Sequence, residues 1–94
     1  MKKKIFLIDD DHMICTLLKI LIEDVPSLEF SSMCSSKEAV EYLKSSNAPP
    51  DLVLIDMRMP DMGGIETLTE LKALPGLQKT RFSIFSTAVD KESV

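Results

Sequence analysis

Four short runs suited to β-strands, KIFLI (4–8), LEFSSM (28–33), DLVLI (51–55) and RFSIFST (81–87), alternate with three stretches of helical period. The helical stretches place Ile14, Leu17, Leu18, Leu21 and Val25 at spacings of three and four, then Ala39, Val40 and Leu43, then Ile65, Leu68, Leu71 and Leu74. Such spacings gather side chains on one face of a helix, whereas LEFSSM alternates apolar and polar residues with the period of a strand. Breakers fall between the segments: Pro26, NAPP before the third strand and PG before the fourth. Ser35 and Glu38 have the spacing of a capping box at the start of the second helix. A β-α-β-α-β-α-β order calls for parallel strands joined by right-handed crossovers. A continuously apolar run such as DLVLI suits a central strand covered on both faces. The expected fold class is α/β, a doubly wound parallel sheet.

Ninety-four residues hold one small domain at most. The chain stops where DKESV would begin a fourth helix, which leaves a fourth strand containing Ile84 and Phe85 at an edge. Apolar edges invite pairing with another chain, so a homodimer or strand exchange through that strand is expected. A net charge of −4 argues against nucleic-acid contact or a membrane-surface role for these residues. Cys15 and Cys34 are too few and too scattered for a disulfide framework, and read as reduced, part-buried thiols of a cytoplasmic protein. The apolar part of MKKKIFLIDDD is short and ends at three acids, so it is no secretory signal, and no later run could span a bilayer.

Polar chemistry collects where the strands end. The first runs into Asp9, Asp10 and Asp11, the third into Asp56, and the fourth into FSTA, with Thr87. Parallel sheets bind ligands beyond the carboxyl ends of their strands. If strands one and three are neighbours, Asp9, Asp10 and Asp56 converge, and three close carboxylates stay ionised together only around a cation. Oxygen-only ligands select a hard ion, Mg²⁺ or Mn²⁺. A metal beside an acid at a strand end makes a phosphate site: Asp56 could attack phosphorus and Thr87 could hydrogen-bond a phosphoryl oxygen. Asp11 reads as the N-cap of the first helix.

These residues resemble the receiver domain of two-component response regulators, and the resemblance covers the whole chain. FLIDDD is similar to that family's acidic pair, LIDMRMPDMGGIE to its phosphoacceptor motif and FSTA to its Thr-Ala step. The resemblance implies a flavodoxin-like sheet of order 2-1-3-4, with the fifth strand and last helices missing, so that residues 1–94 are a partial receiver domain. It implies phosphoryl transfer from a histidine kinase or phosphotransfer protein to Asp56. Mg²⁺ would be bound by Asp10, Asp56 and the backbone carbonyl of Arg58, with Asp9 reaching it through water. Thr87 would be the switch hydroxyl, Ala88 its small neighbour, Pro60 would shape the loop and Gly64 the turn into the third helix. An output domain or effector outside this chain would read the signal. The family's strand-five lysine and its nearby aromatic have no counterpart here, and Gly63 stands where the family often has an acid.

Other residues have plainer readings. His12 reads as a first-turn surface residue, and Met57, Met59 and Met62 as packing for the loop on the sheet. The side chain of Arg58 either tunes water access to Asp56 or is a solvated cation. LIDDDHM also resembles the first motif of haloacid-dehalogenase-like phosphatases, with Asp9 as nucleophile, Asp11 as general acid and Ser86 or Thr87 as the second motif. That reading leaves Asp56 and MRMPDMGG without a role, and Met13 stands where that family has Thr or Val. A third possibility is an interaction module with the same fold that exchanges no phosphate.

Overall fold

The computed structural model describes residues 2–86. Its elements follow the expected order: β1 (Lys3–Ile8), α1 (His12–Glu23), β2 (Leu28–Met33), α2 (Ser36–Lys44), β3 (Leu52–Asp56), α3 (Gly64–Lys72) and β4 (Arg81–Phe85). A single 3-10 turn, Pro75–Leu77, precedes β4. All strand pairs are parallel and their order is β2-β1-β3-β4. This is the doubly wound, flavodoxin-like arrangement, with β1 and β3 adjacent as the acid pattern required. Among the described residues β4 is an edge strand.

Register decides what leaves the sheet where. Ile8 stands opposite Ile55, so the next residue of each strand, Asp9 and Asp56, emerges at the same carboxyl edge. At the opposite edge a cleft is lined by Lys3, Lys4, Lys79 and Arg81 together with Asp51.

The two faces of the sheet are covered unequally. Phe6, Ile8, Val53 and Ile55 pack in one core with Ala39, Val40 and Leu43 of α2 and Leu71 of α3. The predicted stripe of α2 is buried in full, and Tyr42 stacks on Phe6 with ring centres 5.7 Å apart. α1 contacts chiefly the edge strand β2 and buries no residue completely. Of its predicted apolar positions Ile14 and Leu18 are half-buried, while Leu17, Leu21 and Val25 are exposed. The difference is one of partners: α2 and α3 pack against each other as well as the sheet, whereas the main contacts of α1 are with β2. Ile65 departs from the α3 pattern in the same way, being exposed while Leu71 is fully buried. No helix among the described residues is long and apolar enough to cross a membrane.

Candidate functional site

Asp9, Asp10 and Asp56 come together at the carboxyl edge of β1 and β3, with one carboxylate oxygen from each lying within 4.8 Å of the others. Among the described residues no other trio of His, Cys, Asp or Glu is gathered this closely. Asp9 and Asp56 are buried, whereas Asp10 is exposed. β1 ends at Ile8, so Asp9 is still covered at the sheet edge, while Asp10 already lies in the bend beyond it.

Asp9 is electrostatically the least comfortable of the three. Its Oδ1 accepts a hydrogen bond from the Asp11 N–H at 2.9 Å, while its buried Oδ2 has no hydrogen-bond partner. Burial first, then the neighbouring carboxylates of Asp56 and Asp10, push its pKa up to about 6, against the opposing hydrogen bond from Asp11. An unpartnered buried carboxylate oxygen facing two further acids is what a bound cation would satisfy. The donors are all oxygens, so the cluster suits a hard ion.

Neighbouring backbone holds these acids in place. The Asp9 N–H donates to the Met33 carbonyl at 3.1 Å, and the Asp9 carbonyl accepts from the Cys15 thiol at 3.5 Å. The Met57 N–H donates to Phe85 at 2.7 Å, which fastens the end of β3 to the end of β4. The Arg58 N–H donates to Asp56 Oδ1 at 3.2 Å, so the loop folds back over the acid within two residues. Thr87 and Ala88 lie outside the described residues.

The loop from Met57 to Gly63 is anchored in the core by two of its residues, with Met57, Arg58 and Pro60 exposed. Met59 and Met62 are buried in the main core, as their reading as packing residues requires, but Met57 is 40% exposed. Gly64 is required by space and not by dihedral, since no glycine here has a positive φ. A Cβ at Gly64 would lie 2.8 Å from the Met57 Cα and 2.9 Å from the Asp56 carbonyl oxygen. The Gly64 N–H also donates to the Met57 carbonyl at 3.0 Å, bringing the start of α3 against the backbone of the acid itself. Gly63 is the N-cap of α3 and supplies no side-chain hydrogen bond.

Several residues singled out in the sequence sit beside the cluster. Asp11 is the N-cap of α1: its Oδ1 accepts from the N–H groups of Met13 at 2.9 Å and Ile14 at 3.4 Å. That occupation keeps it at the helix end and outside the acid trio. His12 is exposed at the start of α1, with the Cys34 thiol 3.8 Å from its Nδ1. Cys15 is half-buried, but Cys34 is exposed because it lies just past the end of β2.

One participant gave no sequence signal. Asp61 accepts from the Ser35 hydroxyl at 2.7 Å and from the N–H groups of Ser36 at 3.3 Å and Lys37 at 3.0 Å. It thus shares the cap of α2 with Ser35, whose hydroxyl oxygen accepts from the Glu38 N–H as the predicted capping box requires. Although burial acts to raise its pKa, the bonds from Lys37, Ser35 and Ser36 pull the Asp61 carboxyl down to about 2. The helix it caps begins 25 residues earlier in the chain, so no local motif marks it.

Comparison with known proteins places this geometry in context. A family model described as "Response regulator receiver domain" matches residues 5–94. The nitrate/nitrite response regulator protein NarL of Escherichia coli K12 is 39% identical over 93 residues, covering 96% of this chain and 40% of NarL. The transcriptional regulatory protein ZraR of the same strain is 38% identical over 90 residues, covering 92% of this chain and 20% of ZraR. The chain therefore spans less than half the length of either relative. Among solved structures, the phosphorylated cyanobacterial phytochrome response regulator RcpA superposes with a TM-score of 0.81 at 28% identity, over 99% of this chain and 71% of that one. The chemotaxis response regulator CheY4 of Vibrio cholerae shares the fold, with a TM-score of 0.81 at 22% identity over 99% of this chain and 75% of that one.

Proposed function

This chain belongs to the response regulator receiver domain family of two-component systems, and from that premise we propose that Asp56 accepts a phosphoryl group from a histidine kinase or phosphotransfer protein. The observation that carries this reading is the buried Asp56 at the end of β3, within one small acid cluster with Asp9, whose buried Oδ2 has no hydrogen-bond partner. Asp9, Asp10 and Asp56, with the backbone carbonyl of Arg58, would hold the ion, Mg²⁺ or Mn²⁺. When bound, it supplies positive charge against the phosphoryl oxygens and keeps the acids ionised.

The remaining roles fall to this chain's own groups. A carboxylate oxygen of Asp56 forms the new O–P bond as the N–P bond to the donor histidine breaks, and the departing imidazole takes up a proton. The Arg58 N–H, donating to Asp56 Oδ1, fixes the carboxylate's rotation and so selects which oxygen is free to attack. Thr87 is assigned the hydroxyl that hydrogen-bonds the transferred group. The chain is a phosphoacceptor that promotes its own phosphorylation and dephosphorylation, not an enzyme that turns over a substrate. Residues 1–94 act as a partial receiver unit in the cytoplasm, and the output domain or effector that it switches lies outside them.

The test is intact mass after incubation with acetyl phosphate and Mg²⁺, on the wild type, Asp56→Asn and Asp9→Asn. A base-labile phosphoryl adduct absent from Asp56→Asn, and formed more weakly by Asp9→Asn because the ion is held less well, is the expected result. An adduct that persists in Asp56→Asn and vanishes in Asp9→Asn would move the nucleophile to β1. The phosphatase alternative gains nothing from the geometry, because its general acid, Asp11, is committed to the α1 cap.

A further inference from the structure

We propose that Asp61 is a positioning residue for the acid cluster: by capping α2 from within the loop that follows Asp56, it locks that loop in its metal-binding form. The inference rests on the reading of Asp9, Asp10 and Asp56 as a cation site.

The loop from Met57 to Gly63 carries both groups assigned to the ion and the acceptor beyond the acids themselves, the Arg58 carbonyl and the Arg58 N–H. Its two ends are held at one point, by the Gly64 N–H on the Met57 carbonyl at 3.0 Å. Its underside is held by Met59 and Met62 in the core. Its last residues are tied to α3 by the Thr67 hydroxyl, which donates to the carbonyls of Gly63 at 2.8 Å and Met62 at 3.5 Å, and its far side is tied to α2 by three bonds to the Asp61 carboxylate and by the Ser36 hydroxyl on the Met62 carbonyl at 2.9 Å. A helix N-terminus with its free N–H groups is an anchor for a carboxylate, and Ser35 adds a short charge-assisted bond.

The arrangement is more than a helix cap. α2 already has a local cap in Ser35, which bonds the Glu38 N–H. The additional carboxylate comes from a residue 24 to 26 positions away, on the loop whose placement decides where the Arg58 backbone sits. Groups that orient metal ligands without touching the ion change metal affinity by about 10- to 100-fold when removed. Asp61 has the connections to act in that way.

The experiment compares wild type, Asp61→Ala, Asp61→Asn and Leu77→Ala in two measurements. Leu77→Ala is a core truncation outside the loop and serves as a destabilised control. Hydrogen exchange of the 57–63 amides is read in metal-free protein, and Mg²⁺ alone is titrated by calorimetry. For Asp61→Ala we expect loop exchange faster by about tenfold or more and an Mg²⁺ Kd raised by about tenfold. Asp61→Asn, which keeps an acceptor oxygen for the α2 amides, restores part of both, and Leu77→Ala changes neither. Loop exchange and Mg²⁺ affinity at wild-type values in Asp61→Ala, or equal changes in Leu77→Ala, would overturn the proposal. If Asp61→Ala does not fold, Asp61→Asn and Ser36→Ala carry the same comparison. A wild-type chain that binds no Mg²⁺ sinks the cation reading separately, and loop exchange alone then decides whether Asp61 is the lock.

Discussion

The carboxylates of Asp9 and Asp56 meet because Ile8 and Ile55 are cross-strand partners in β1 and β3. Two buried acids are thereby forced together, and the cost falls on Asp9, whose pKa rises to about 6.

That shift fixes a pH dependence. The unfolded Asp9 titrates near 3.8 and the folded one near 6, so between these values the native state holds the extra proton. Metal-free stability therefore falls as pH rises through this window, by up to about 3 kcal/mol. Asp61, lowered to about 2, acts oppositely and only below about pH 4. Its stabilising contribution is present above that pH and is lost as pH falls. Denaturant titrations without metal should show stability greatest near pH 4 to 5 and declining toward 7, with Mg²⁺ reversing the decline. A flat metal-free profile would contradict the burial of Asp9 with its Oδ2 unpartnered.

Asp9→Asn removes the buried charge while keeping its volume. At pH 7.5 without metal this variant should be more stable than wild type, by about 1–3 kcal/mol. The same variant should lose the stabilisation that Mg²⁺ gives. Thermal melts with and without Mg²⁺ read both effects, and a variant less stable than wild type in the absence of metal would count against the account.

Much of this was legible in the chain. Alternating periods yield the element order, and the parallel order brings β1 and β3 together. Strand-end acids then fall on one edge, since register needs only apolar Ile8 to face apolar Ile55. The exposure of Leu17 and Leu21 was not legible, because periodicity reports which residues share a helix face and not whether anything covers it. Asp61 was hidden for a different reason. Its partners are backbone N–H groups on a distant helix, and a carboxylate in a Pro-Asp-Met loop looks like any turn residue.

Gly64→Ala should destabilise by about 1–3 kcal/mol, because the atoms its Cβ meets at 2.8 and 2.9 Å are backbone and have no rotamer to yield. Gly76→Ala meets nothing within 4 Å and should be neutral or slightly stabilising. Urea unfolding of the two variants side by side makes the comparison, and equal losses would refute the close approach at Gly64.

Asp11→Ala should cost about 1 kcal/mol through loss of the α1 cap and leave Mg²⁺ affinity within about twofold. Calorimetric titration of this variant beside Asp9→Asn separates a capping acid from a cluster acid. Loss of Mg²⁺ binding in Asp11→Ala would return it to the site.

The β4 edge presents half-buried Phe82, Ile84 and Phe85, and this chain should associate through it at high concentration. Light scattering of the isolated chain reads the mass, and a monomer at every concentration would remove the strand-exchange expectation.

The segregation of ionic groups along the strands has a consequence for encounter. Three acids gather at the carboxyl edge, while Lys3, Lys4, Lys79 and Arg81, with Asp51 among them, line a cleft at the amino edge, so these two clusters of opposite balance are set apart along the strands. A cationic surface would be drawn to the acid end of the sheet and repelled from the basic cleft before any contact forms. That attraction would work over about one Debye length, which would make salt a brake on how often a cationic partner arrives at the acid end.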